Sequence, residues 1–122
     1  FYATTLDDWK VFYAMTMSEA PYVPSFVLDA VAADAIARVP RHAYIFKQLG
    51  GVMDDSLSQI RTPTLIVWGD EDQLLHVSMA GVWQRIAGSK AYVYAGVGHM
   101  PHLERPAQTA ALFTRFLAGE LP

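Results

Sequence analysis

The chain has 122 residues and a mass of 13.5 kDa, with 52% hydrophobic and 17% charged residues and a formal net charge of −3. This composition fits one folded unit of the ~100–200-residue class and excludes a solvated, disordered chain. With 9 Lys and Arg and no basic block, it also argues against a nucleic-acid or anionic-membrane surface.

The absence of cysteine removes disulfides, thiolate metal sites and a Cys nucleophile, and fits any redox compartment. No apolar run approaches the ~20 residues of a membrane span. No signal-peptide pattern is visible. The opening Phe1-Tyr2-Ala3, without Met, leads us to expect upstream residues.

The first half reads as helices. Thr5-Leu6-Asp7-Asp8 has capping-box spacing, with Asp where Glu or Gln is more usual. Trp9, Phe12, Tyr13 and Thr16 or Met17 follow at helical spacing. Pro21 and Pro24 break the chain, and Ser25 is placed to cap a second helix through Val27, Leu28, Val31, Ala32, Ala35 and Ile36. That helix should end before Pro40, because the residue preceding a proline disfavours the helical region. A third segment, about His42 to Leu49, stops at Gly50-Gly51, and Asp54-Asp55-Ser56 reads as a loop or a further cap.

After Gln59 the texture changes. Thr64-Leu65-Ile66-Val67-Trp68 is a continuous apolar, β-rich run, which suits a buried parallel strand, and Gly69 ends it. Met79, Val82, Trp83 and Ile86 predict a helix over Ser78 to Ala87, weakened at Gly81 and closed by Gly88. Ala91-Tyr92-Val93-Tyr94-Ala95 is a second strand. Pro106 suits the first turn of a last helix carrying Ala110, Phe113, Phe116 and Leu117, and Gly119 stops it.

The order strand–helix–strand–helix implies an α/β fold with a right-handed crossover between two parallel strands. The boundary is expected near residue 58, with a helical module over 1–58 and part of an open α/β sheet over 59–122. Both strands are apolar enough to be covered on both faces, and a two-stranded sheet leaves open edges. Further strands are therefore expected, either upstream of residue 1 or from a second chain.

In open parallel sheets, ligands bind beyond the carboxyl ends of the strands. Asp70 and Asp72 follow the first strand, and His99 follows the second, 27 positions after Asp72. Adjacent parallel strands would bring the two loops to one edge, where a carboxylate can orient an imidazole for proton transfer. Each residue taken singly has a plainer reading: Gly-Asp-Glu-Asp makes a solvated turn, and a histidine beside Gly and Pro is a loop residue. The combination is more specific than either part. His76 reads as a solvated loop histidine, and the four scattered histidines carry no metal signature and imply no cofactor. Trp9, Phe12, Met15 and Met17 read as ordinary helix packing in preference to an acyl channel.

These residues carry a resemblance. Ile60-Arg61-Thr62-Pro63-Thr64-Leu65-Ile66-Val67-Trp68-Gly69-Asp70-Glu71-Asp72 resembles the penultimate strand and acid loop of an α/β-hydrolase. Gly98-His99-Met100-Pro101-His102-Leu103-Glu104-Arg105-Pro106 resembles the same family's histidine loop. Residues 1–58 resemble, less sharply, the helical cap or lid inserted before that strand. The Asp8-Trp9 helix, the Pro21 to Pro24 turn and Ile45-Phe46-Lys47-Gln48-Leu49 are most like the monoacylglycerol-lipase-like, esterase branch.

The resemblance implies a Ser-His-Asp triad with His99 as the base, no metal and no cofactor. The acid falls on Asp72, the fourth position of G-x-x-D, while a backbone-turn role suits Asp70. His102 is then structural or pocket-rimming, and Glu104 anchors the loop or the start of the last helix. The implied substrate is a small ester or acylglycerol.

One departure is large: no G-x-S-x-G is present. None of Ser18, Ser25, Ser56, Ser58, Ser78 and Ser89 has that frame. Ala87-Gly88-Ser89-Lys90-Ala91 comes nearest, but it follows a helix and precedes a strand, the reverse of a nucleophile elbow. The chain is therefore expected to be the cap plus the last two strands of a larger hydrolase, inactive alone. Its partner would be the missing N-terminal half of the fold or a self-association partner. Other chemistries of the same fold stay open: C–C bond hydrolysis, perhydrolysis, and epoxide or haloalkane hydrolysis.

Overall fold

The structure, a computed structural model, describes residues 2–48 and 54–121. The chain divides into two compact units. Phe1–Ala14 and Pro21–Val52 form one, and Met15–Ala20 and Met53–Pro122 form the other.

The first unit is helical. The helix α1 (Leu6–Met15) starts in the expected reciprocal box. Asp8 N–H donates to Thr5 Oγ1, and Thr5 N–H donates to Asp8 Oδ2, both at 3.1 Å. The helix α2 (Ser25–Ala37) begins one residue earlier than a Ser25 cap requires. Pro24 holds the cap position, no side chain caps the helix, and Ser25 is its first residue. Extended Pro24 already offers its carbonyl to the N–H groups of Val27 and Leu28, which does the work of the start.

The helix α3 (Val39–Gln48) also starts before the expected His42, with Pro40 inside its first turn. A proline fits there because its missing N–H would have had no helical partner. The expected stop at Leu49 to Gly51 lies outside the described residues. Trp9, Ala3 and Ala32 form the buried centre of this unit, with Tyr13, Leu28, Ala35 and Ile36 against them. The Trp9 and Tyr13 rings stack at 5.1 Å, as their i, i+4 spacing allows.

In the second unit, Asp54–Leu57 is a short helix, α4, where a loop or cap was expected. The strands β1 (Leu65–Gly69) and β2 (Lys90–Tyr94) pair in parallel, with Leu65 opposite Lys90 and Gly69 opposite Tyr94. Their carboxyl ends therefore lie level. Between them, α5 (Met79–Trp83) is half the length its periodicity predicts. After Trp83 the chain tightens into i, i+3 turns, Arg85 to Val82, Ile86 to Trp83 and Ser89 to Ile86. Gly81 lowers the helical preference of this stretch, and Gly88, at φ +75°, turns the chain into β2. Ile86 stays buried at the end of these turns.

A one-turn helix, α6 (Pro101–Glu104), follows β2 and was not evident in the sequence pattern. The last helix, α7 (Pro106–Leu117), starts on Pro106. It ends in a Schellman motif: Glu120 N–H bonds to Arg115 O, Gly119 N–H to Phe116 O, and Gly119 takes φ +71°.

Tyr94, Val97 and Leu112 form the buried centre of this unit, packed by Leu65, Val67 and Leu121. Ile66 is buried in β1, whereas Ala91, Tyr92 and Val93 of β2 are exposed. The described residues thus leave uncovered part of a strand whose composition suits burial.

Gly69 decides how closely β1 approaches the loop after β2. A Cβ there would collide with the backbone carbonyls of Val97 and Gly98, which cannot yield as a flexible side chain can. We expect Gly69→Ala to cost about 2–3 kcal/mol or more, as overpacking against backbone does. The check is a lower urea midpoint at unchanged slope; a midpoint equal to wild type would show that the loop yields.

Candidate active site

The loop after β1 is tied to the loop after β2 by backbone first. Asp70 N–H bonds to Tyr94 O and Glu71 N–H to Val97 O, each at 3.0 Å. Gly96, at φ +67°, makes the turn after β2. Its N–H is accepted by Asp70 Oδ1 at 2.8 Å, so the Asp70 side chain closes the turn across the two strand ends.

Asp72 points elsewhere. Its Oδ1 accepts the N–H groups of Leu74 at 2.9 Å and Leu75 at 3.0 Å, which folds the chain back on itself as an Asx turn. Its Oδ2 lies 2.8 Å from His99 Nδ1. A carboxylate only accepts, so Nδ1 carries the hydrogen in this pair and Nε2 is left as the proton-accepting nitrogen. The Asp72 side chain is 2% exposed and that of His99 33%. One ring edge is therefore held in the protein while the imidazole stays reachable.

Burial pushes the Asp72 carboxyl up. The Leu75 N–H, the His99 hydrogen bond, the Leu74 N–H and the His99 charge act against it and hold the group below its ordinary value. Val67, Trp68 and Gly69 line a small open depression with Asp72 and His99. Trp68 Nε1–H is fixed to Leu75 O at 3.2 Å, on the same turn that Asp72 braces.

The His99 main chain is held as well. Its N–H donates to Thr16 O at 2.9 Å, and Gly98 N–H donates to Glu104 Oε1 at 2.8 Å. Glu104 therefore anchors the loop, and its place at the end of α6 keeps it out of the start of α7. Thr16 gave no functional signal in the sequence, because its partner lies more than eighty positions away. His102 is exposed on α6. His76 is an exposed turn residue whose Nδ1 meets Ser78 Oγ at 2.9 Å and accepts Ser78 N–H at 3.3 Å.

The apolar set read along α1 divides. Trp9 and Phe12 belong to the first unit, where they line a cavity with Phe46 and His42, and Met15 and Met17 belong to the second. Among the described residues, no group of three or more His, Cys, Asp or Glu gathers to hold a metal.

Known proteins share this arrangement of elements. The profile of the alpha/beta hydrolase family matches residues 2–112. Mouse monoacylglycerol lipase ABHD6 is 39% identical over 68 residues, covering 55% of this chain and 20% of that protein. Lipase 1 of Psychrobacter immobilis is 28% identical over 117 residues, covering 90% of this chain and 36% of the lipase. The crystal structure of a membrane phospholipase A, described as a bacterial virulence factor, superposes with a TM-score of 0.87 at 28% identity. That superposition covers 98% of this chain and 40% of the phospholipase. The chain thus spans between a fifth and two fifths of the length of these proteins.

The bonds at Asp72 set a pH dependence. A carboxyl whose folded value lies below the ordinary 3.8 stabilises the fold fully above that pH, and the contribution is lost as pH falls through the folded value. Asp72→Asn should therefore lower the urea midpoint at neutral pH, and the gap to wild type should close in strong acid. A gap that stays constant across the titration would count against these bonds.

Proposed function

The chain belongs to the alpha/beta hydrolase family, and from that premise we propose that it supplies the acid and base of a Ser-His-Asp triad for carboxylic-ester hydrolysis. The single observation that carries the reading is the contact of Asp72 with His99 across adjacent strand ends. The names of similar proteins, a monoacylglycerol lipase, a bacterial lipase and a phospholipase, support an ester or acylglycerol substrate.

In this reading the serine lies in a part of the fold outside residues 1–122, and residues 1–58 correspond to the family's helical cap segment. The serine Oγ attacks the ester carbonyl while His99 Nε2 takes its proton. Asp72 holds the Nδ1–H tautomer and balances the imidazolium. The tetrahedral intermediate collapses, and His99 returns the proton to the departing alcohol. A water then gives its proton to His99 and attacks the acyl-enzyme, which releases the carboxylic acid and restores the serine. With no elbow serine, the 122-residue chain is inactive alone.

Two measurements test this. In the ester-hydrolysing protein that carries the serine, Asp72→Asn should lower kcat by about 10³–10⁴-fold, the scale of removing a triad carboxylate. Asp70→Asn should leave it within a few-fold, since that side chain closes a turn; equal losses would sink the assignment of the acid. Fluorophosphonate labelling read on a denaturing gel should leave the 13.5 kDa chain unlabelled and mark only a protein bearing the serine. A labelled 13.5 kDa band would overturn the placement of the nucleophile.

A further inference from the structure

Glu104 is a carboxylate only 9% exposed, at the last position of α6. Burial of such a group is costly unless its oxygens are bonded. Here both are bonded, and every partner is backbone. Oε1 accepts Gly98 N–H at 2.8 Å, while Oε2 accepts the N–H groups of Ser18 at 2.9 Å and Glu19 at 3.0 Å. One side chain therefore joins two stretches of backbone about eighty positions apart.

The two stretches also meet directly. His99 N–H donates to Thr16 O at 2.9 Å. A Cβ on Gly98 would stand 2.9 Å from Met17 Cα and Ser18 N, so the backbones pass in contact and only glycine fits. On the exposed side, Arg105 Nη1 donates to Glu19 Oε2 at 2.9 Å and holds the far end of the same segment. The consecutive N–H groups of Gly98 and His99 are thus fixed from one source. Gly98 is held by Glu104 itself, and His99 by the segment that Glu104 holds.

We infer that Glu104 is a positioning residue for His99: it clamps Thr16–Glu19 to the histidine loop and so sets the imidazole against Asp72. The inference rests on the reading of His99 as the catalytic base, and it makes the segment 16–19 part of that site's support. Placement matters because a displacement of about 1 Å at a reacting group can cost on the order of 10²-fold in rate. Glu104→Gln keeps the shape but leaves one acceptor oxygen for two groups of donors. Its NH₂ then faces an N–H, and one side of the clamp opens.

The test is the exchange with water of the His99 Nδ1–H proton, read by NMR in the 122-residue chain. In folded Glu104→Gln this exchange should be at least about tenfold faster than in wild type, as the hydrogen bond to Asp72 opens more often. Unchanged exchange in the folded variant overturns the inference. Should that variant not fold, Glu104→Asp decides by the same readout, because it keeps both oxygens but is one methylene too short to hold both Gly98 N–H and the Ser18 and Glu19 N–H groups; faster exchange supports the clamp and unchanged exchange overturns it. In the ester-hydrolysing protein, Glu104→Gln should lower kcat by about 10–100-fold at unchanged KM, the mark of a loss felt in the transition state. A rise in KM alone overturns it. The exchange readout needs no hydrolysis, so the two readings fail separately. Faster exchange without any fluorophosphonate labelling would remove the proposed chemistry and keep the clamp; labelling with unchanged exchange would do the reverse.

Discussion

The passage of the Val97–Gly98 backbone against Gly69 sets the spacing on which the site stands. Parallel pairing of β1 with β2 brings their carboxyl ends level, with Gly69 opposite Tyr94. Level ends alone leave the two loops free to diverge. They stay together because no side chain intervenes at Gly69, so that Glu71 N–H can reach Val97 O and Asp70 N–H can reach Tyr94 O. Once those bonds form, His99 is carried to the Asp72 carboxylate.

Three carboxylates then divide the work by what each accepts. Asp70 takes one backbone N–H and closes a turn. Asp72 takes two backbone N–H groups on one oxygen and presents the other to an imidazole. Glu104 takes three backbone N–H groups and has no oxygen left over for anything that moves. The same functional group thus closes a turn, holds an imidazole edge or joins two backbone segments, according to its surroundings. The shared feature is that backbone donors, whose positions are fixed by the fold, do most of the holding.

The two compact units differ in kind. The helical unit is organised about Trp9 and carries many exposed apolar side chains, among them Tyr22, Phe26, Tyr44 and Phe46. The α/β unit borrows Met15–Ala20 from the helical stretch of sequence and uses it to hold the histidine loop. A chain that spans a fifth to two fifths of its relatives keeps the acid and histidine loops together in one unit. In an α/β-hydrolase the acid and histidine loops follow the nucleophile in chain order, so a member of that family can carry Asp72 and His99 in a stretch that shows no elbow serine.

The sequence by itself determined the elements whose cause is local. The Thr5/Asp8 box, the strand at Leu65, the start of α7 at Pro106 and its stop at Gly119 follow from neighbouring residues and from hydrogen bonds three to five positions apart. The nearness of Asp72 to His99 was legible too, because parallel pairing makes strand ends predictable neighbours. Where local preference was weak or shared, the sequence misled: α5 is shortened by turns after Trp83, α2 begins on a proline carbonyl without a serine cap, and α3 takes Pro40 into its first turn. Only the tertiary structure decided that Thr16 and the backbone of Ser18 and Glu19 serve the histidine loop, and that Gly69 and Gly98 are sites of backbone contact. Those roles belong to partners about eighty positions away for the segment 16–19 and Gly98 and about thirty for Gly69, and no periodicity along a chain records what a distant backbone will press against.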